Sequence, residues 1–283
     1  MGRPGRRDLT MATVRVNGVE LYYEVHGEGA PVLLIHGLGS STRDWEPQVP
    51  ALAAAYKVIA FDVRGHGRSE KPRQRYSVKL FADDTAALIR ALGIAPIHVV
   101  GISMGGMIAF QLAADAPELV RSLAIVNSGP AMPIKTFAQR LMIWSRVAIV
   151  RVRGMRKMGE VLATRLLPEP EHAAARAQFI ERWADNDPRA YLAALHGLVN
   201  WTVMDALPRI ARPVLVLTGD KDYTPLAFKQ AYTAMMPEAE LVVIDDARHF
   251  MPIERPEPFN RALLSFLDRV EAAVSGRSGA LAN

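Results

Sequence analysis

Three residues in this 283-residue chain have the types and settings to do chemistry together: Ser103, His249 and one of the two aspartates Asp220 and Asp222. Ser103 stands in Gly101-Ile102-Ser103-Met104-Gly105, between an apolar run at 97–100 and a helical pattern at 104–116. A serine on so tight a strand-to-helix turn needs small neighbours two residues before and after it, and both are glycine. Gly106 lets the new helix pack close to the sheet. The turn places the hydroxyl at a helix N-terminus, where the dipole favours developing negative charge. A serine hydroxyl is a weak nucleophile at neutral pH, so an imidazole must take its proton as the new bond forms. A carboxylate on the other ring nitrogen fixes the tautomer and stabilises the imidazolium. The chemistry such a set performs is attack on an acyl carbon.

The chain has seven histidines, and His249 directly follows the last apolar run. His36 and His66 lie in glycine turns, and His98 lies inside a strand pattern, where structural roles are expected. His26, His172 and His196 fall outside any motif. Asp220 and Asp222 are both candidates for the acid, in Gly219-Asp220-Lys221-Asp222-Tyr223-Thr224-Pro225. Asp245 and Asp246 are too near His249 in sequence to be preferred.

The elements that must carry these residues alternate. Residues 12–17 and 19–25, split by Asn17-Gly18, read as a hairpin. Apolar runs at 31–35, 57–61, 97–100, 122–126, 213–218 and 240–244 read as buried strands, with helical stretches such as 78–92 between them. Continuous apolar strands separated by helices imply an α/β fold, a mostly parallel sheet covered on both faces. A last helix is expected over 257–274, with loose tails at 1–10 and 275–283 and Met11 as a possible start. Residues 129–211 break the alternation with helical patterns alone, too long a stretch for a plain connection. They are expected to form a helical cap inserted into a core of residues 11–128 and 212–274.

On these motifs the chain resembles the α/β-hydrolase family from about residue 14 to 272. His36-Gly37 after one strand, Asp62-Val63-Arg64-Gly65-His66-Gly67-Arg68-Ser69 after the next, the serine turn, and the order Ser, Asp, His carry the resemblance. The resemblance selects Asp222 as the acid, three residues after the glycine and three before the proline. It implies an oxyanion hole from the backbone N–H groups of Leu38 and Met104, and no cofactor or metal. Trp45, Phe250 and Trp144 are expected to line the substrate pocket. Arg248 departs from the glycine often found before the family's histidine. The reading implied is a serine hydrolase of carboxylic esters, lactones or thioesters. The alternatives are a cofactor-free perhydrolase of the haloperoxidase type and a carbon–carbon bond hydrolase using the same triad. A binding protein that reuses the fold is the non-enzymatic alternative.

Composition narrows the remaining classes. There is no cysteine, which removes thiolate nucleophiles and zinc–thiolate sites and permits a reducing compartment, so a cytoplasmic location is expected. No apolar run reaches membrane-spanning length, and the basic N-terminus lacks the apolar stretch of a secretory signal. Residues 129–211 carry twelve Lys/Arg and seven Asp/Glu, which accounts for the whole net charge of +5. That localisation argues against nucleic acid as partner and points to a small acyl substrate, with peripheral membrane contact through the basic cap as a further expectation. Phe137, Leu141, Trp144 and Ala148 recur at helical spacing and are expected to pack on the core, leaving the arginines to solvent.

Overall fold

The computed structural model describes residues 10–280. The tail expected over residues 1–10 therefore lies outside the described residues except for Thr10, and so do residues 281–283.

Eight strands form one sheet: β1 (Thr10–Val16), β2 (Val19–His26), β3 (Ala30–Ile35), β4 (Tyr56–Phe61), β5 (Ile97–Ile102), β6 (Val120–Val126), β7 (Val214–Gly219) and β8 (Ala239–Ile244). Their order is β1-β2-β4-β3-β5-β6-β7-β8. β1 and β2 pair antiparallel through Asn17 and Gly18, both at positive φ, the backbone a two-residue hairpin turn requires. β2 also pairs antiparallel with β4, and every other pairing is parallel. β3, β5 and β7 are buried almost throughout, as their unbroken apolar sequences require of strands covered on both faces.

The helices are α1 (Val49–Leu52), α2 (Val78–Leu92), α3 (Met104–Asp115), α4 (Phe137–Leu166), α5 (Ala173–Ala184), α6 (Pro188–Leu198), α7 (Leu226–Thr233), α8 (Met251–Glu254) and α9 (Pro256–Ala280). One apolar cluster fills the side of the sheet under α2 and α3, and a second fills the side under α9 and the inserted helices. α9 runs past residue 275, where a frayed tail was expected. No proline interrupts it, and the helix propagates from a face anchored by Phe259, Leu263, Phe266 and Leu267.

Between β6 and β7 the chain makes α4, α5 and α6, joined to the strand ends by an isolated bridge between Ala131 and Thr202. α4 begins with a capping box, in which the Thr136 side chain accepts from Gln139 N and the Gln139 side chain accepts from Thr136 N. It kinks at Gly154, whose φ is 79°. Among the described residues no helix is long and apolar enough to cross a membrane.

Candidate active site

β5 delivers Ser103 to the carboxyl end of the sheet, where α3 begins. Its φ of 54° and ψ of −114° cost a non-glycine residue about 1–3 kcal/mol. The surrounding bonds hold that backbone in place. Ser103 N donates to Val126 O at 3.0 Å, and Ser128 Oγ donates to Ser103 O at 2.6 Å. The flanking glycines answer to space: a Cβ on Gly105 would lie 2.1 Å from Ile35 O, and one on Gly101 would lie 2.3 Å from Gly105 O. The turn exists only because neither residue has a side chain.

His249 follows β8. Its Nδ1–H donates to Asp222 Oδ1 at 2.7 Å, which leaves Nε2 as the basic nitrogen. The Tyr223 hydroxyl donates to Nε2 at 2.9 Å and is also hydrogen-bonded to the Ser103 side chain. The rings of Tyr223 and His249 lie 4.2 Å apart, centre to centre. Ser103, Tyr223, His249 and Asp222 thus form one chain of hydrogen bonds. Tyr223 lines an open cavity, where enclosure by protein and then the Asp222 charge push its hydroxyl up to about 12, so it stays protonated.

Asp222 lies in the turn after β7. Its Oδ2 accepts from Lys229 Nζ at 2.5 Å and from Thr224 N at 3.2 Å. Lys229 is fully buried on α7 and also donates to Thr218 Oγ1. Burial pushes the Asp222 carboxyl up, but the hydrogen bond and charge of His249, with the Lys229 ammonium, outweigh it and hold the group below its ordinary range. Burial lowers Lys229, and its pairing with Asp222 only partly restores it. Asp220, the other candidate acid, accepts from Ala247 N at 3.0 Å and braces the loop that leads to His249.

Asn127 ties these parts together at the end of β6. Its Nδ2 donates to the carbonyls of Arg248 and His249 at 2.9 and 3.0 Å, while its Oδ1 accepts from Gly219 N and Thr218 Oγ1. Asn127 therefore registers the loop of His249 against the turn of Asp222.

The loop after β3 brings Leu38 to the cavity, and a Cβ on Gly37 would lie 3.7 Å from Ser103 Cβ. Met104 is the first residue of α3, so its N–H belongs to the turn that lacks intrahelical acceptors. His36 accepts from Val63 N at 2.9 Å through Nε2 and donates from Nδ1 to Gly37 O at 2.7 Å. Burial lowers it to about 4, so it is a neutral brace for this loop. Asp62 accepts from the N–H groups of Thr42 and Arg68, both at 2.7 Å, and closes the neighbouring turn.

Residues 30–148 match the α/β hydrolase fold family. A protein from Azorhizobium caulinodans named as the carbamate hydrolase RutD is 31% identical over 274 residues, covering 89% of this chain and 96% of its own length. One from Mycobacterium tuberculosis named as the non-heme bromoperoxidase BpoC is 33% identical over 262 residues, covering 90% of this chain and all of its own. The chain belongs to the α/β-hydrolase family. The structure of an enol-lactonase from Burkholderia xenovorans LB400 superimposes with a TM-score of 0.84 at 26% identity, covering 91% of this chain and 100% of that one.

In this α/β hydrolase, the inserted helices and the strand ends enclose a cavity of about 510 Å³. Ser103, His249, Tyr223 and Leu38 line one end, and the walls are mainly apolar, with Phe250, Phe179, Trp183 and Leu195 among them. Arg146 and Arg165, both from α4, also line it, and neither forms an ion pair among the described residues. The Arg165 guanidinium lies 5.2 Å from the centre of the Tyr223 ring. Arg248 pairs with Glu169 of the insertion at 2.9 Å, and Asn186 Nδ2 donates to Gly39 O at 2.8 Å. These contacts clip the insertion to the two loops that carry the site.

Two expected pocket residues are elsewhere. Trp45 is fully buried below the cavity against Phe259, because the short helix it ends turns its ring into the core. Trp144 lies on the outer face of α4 against Phe137, 6.3 Å between ring centres. Sequence reasoning missed Tyr223, Lys229, Arg146 and Arg165 as site residues. Lys229 lies three residues before buried Tyr232, so its place on the inner face of α7 was readable from spacing.

Proposed function

We propose that this α/β hydrolase cleaves a carboxylic ester or lactone, a thioester being the nearest variant, through an acyl-enzyme on Ser103. The observation that carries the reading is the hydrogen-bonded chain from Ser103 through Tyr223 to His249 and Asp222 at the end of an apolar cavity. As Oγ attacks the acyl carbon, the Ser103 proton passes to the Tyr223 oxygen and the Tyr223 hydroxyl proton passes to Nε2 of His249, so the tyrosine is neutral before and after the step. Asp222 holds the ring and balances the imidazolium. The carbonyl oxygen becomes an oxyanion, met by the N–H groups of Leu38 and Met104, each worth about 3–4 kcal/mol. The imidazolium then protonates the leaving alkoxide, and water repeats the sequence to free the acid. No step calls for a metal or cofactor. The cytoplasmic location expected from the sequence belongs to the same reading.

Ser103→Ala is expected to lower turnover of a p-nitrophenyl ester by about a million-fold, while the variant keeps its fold by circular dichroism. Near-normal hydrolysis in that variant would end this account. The second reading, a peroxide-dependent halogenation on the same triad, is favoured by the relative named as a bromoperoxidase. Measuring ester hydrolysis and peroxide-dependent bromination at matched enzyme concentration, over a panel of esters, lactones and thioesters, decides between them.

A further inference from the structure

The first half of α4 has two apolar faces, and only one is used. Gln139, Met142, Ile143 and Arg146 face inward and line the cavity. Phe137, Leu141, Trp144, Ala148 and Val152 recur at helical spacing on the opposite side. They do not pack on the core as their spacing suggested. Phe137 is 69% exposed, Leu141 53%, Trp144 58% and Val152 76%. A contiguous aromatic and aliphatic stripe of this kind is uncommon on a soluble monomer and marks an interaction surface.

Charge selects the occupant. Arg140 and Arg151 border the stripe on the helical wheel; both are exposed, and neither forms an ion pair among the described residues. No Asp or Glu occurs between Glu118 and Glu160, while seven Lys/Arg lie between Lys135 and Lys157. A second copy docking through this face by a two-fold axis would set these arginines against their own counterparts, with no carboxylate on the stripe to separate them. An anionic lipid surface has no such conflict. It offers acyl chains to the apolar stripe and phosphates to the cations around it.

We infer that the outer face of α4 docks on an anionic lipid surface, with Phe137, Leu141, Trp144 and Val152 entering the interfacial layer and Arg140 and Arg151 meeting lipid headgroups. The opposite face of the same helix forms a wall of the cavity, so a docked molecule holds its acyl site one helix away from the lipid. The docking rests on exposure and charge, and it stands or falls apart from the triad.

The test is sedimentation of the full chain with phosphatidylcholine vesicles, with and without about 30% phosphatidylglycerol. Binding is expected only to the anionic vesicles and is weakened at high salt. A triple variant, Phe137→Ser, Leu141→Ser and Trp144→Ser, is expected to lose at least about tenfold in partitioning, and so is Arg140→Gln with Arg151→Gln. Both keep wild-type kcat/KM on a short water-soluble ester, which shows that they fold. Brominated acyl chains are expected to quench the wild-type fluorescence by the share that Trp144→Phe removes. No sedimentation with either vesicle overturns the inference. So does vesicle binding that survives the triple substitution, or a solution dimer that the triple substitution dissociates.

Discussion

Lys229 is the residue whose removal tests the site most directly, because it has no other reason to be where it is. A fully buried ammonium is stable only while Asp222 and Thr218 satisfy it, and Asp222 in turn keeps its charge partly because Lys229 is there. Breaking a buried pair on one side leaves the other charge uncompensated. Lys229→Met is therefore expected to destabilise the protein by about 3–5 kcal/mol in urea unfolding and to depress ester turnover at neutral pH. Wild-type stability in that variant would mean the pair contributes nothing. Arg146 and Arg165 carry a second prediction at this scale. Two guanidiniums without a carboxylate partner among the described residues, in a mainly apolar wall, favour an acyl substrate whose far end is anionic. Replacing both with glutamine is expected to lower kcat/KM for a dicarboxylic monoester about tenfold or more, while the uncharged ester of equal length is unaffected. Equal losses on both esters would show that the arginines only hold α4 in place. At this scale the spacing of motifs marked Ser103, Asp222 and His249, because each follows an apolar strand. Tyr223 and the arginines were not legible. A side chain's direction into a cavity depends on cap packing that no local pattern contains.

At the scale of elements, the strand-to-helix turn is the part the sequence spells out in full. Gly101 and Gly105 are glycine because each position faces backbone oxygen, and backbone cannot swing aside as a flexible side chain can. Gly105→Ala places a methyl 2.1 Å from Ile35 O, so β3 and β5 must separate at the very point where the His36-Gly37 loop begins. That substitution is expected to cost more than about 3 kcal/mol or to prevent soluble folding, as measured by urea unfolding or recovery from the soluble fraction. A mild effect would mean the turn relaxes by another route. The strands were legible for the same local reason, since buried parallel strands are written as continuous apolar runs. α4 was legible as a helix but not in orientation. Its periodicity marks the stripe from Phe137 to Val152, but Ile143, Val147 and Val150 form a second apolar face, and sequence alone does not say which of the two meets the core. Gly154 adds a kink that carries the second half of the helix onto a different line.

For the whole molecule, the alternation of strand and helix implied the layered α/β architecture, while the exchange that puts β3 between β4 and β5 is a long-range pairing with no local signature. Stability as a function of pH is the property in which the distant parts of this architecture add together. Burial pushes Asp44, beside the His36-Gly37 loop, up to about 7, with Ser40 and Arg182 only partly opposing it. Burial likewise pushes Glu254, beside the histidine loop, up to about 7, against the Arg248 N–H and charge. Both carboxyls hold a proton more tightly in the folded chain than in the unfolded one. Across the window from about pH 4 to about pH 7 these two carboxyls lower the free energy of unfolding as pH rises, while His36, His66 and His98, lowered by burial to about 4, 3 and 4, bind fewer protons in the folded chain than in the unfolded one and raise it up to about pH 6.5. Asp222 acts with the opposite sign: its lowered carboxyl contributes stability above its ordinary range and loses it as pH falls through the lowered value. Three histidines outnumber two carboxyls, so these groups together make stability rise from about pH 4 to about pH 6.5 and place its maximum close to neutrality. Urea unfolding at successive pH values should show the rise from about pH 4 to about pH 6.5, and Asp44→Asn should steepen it by removing one of the two groups that oppose it. An Asp44→Asn slope equal to wild type would mean that this carboxyl is ionised in the folded chain and that water reaches the loops around the site.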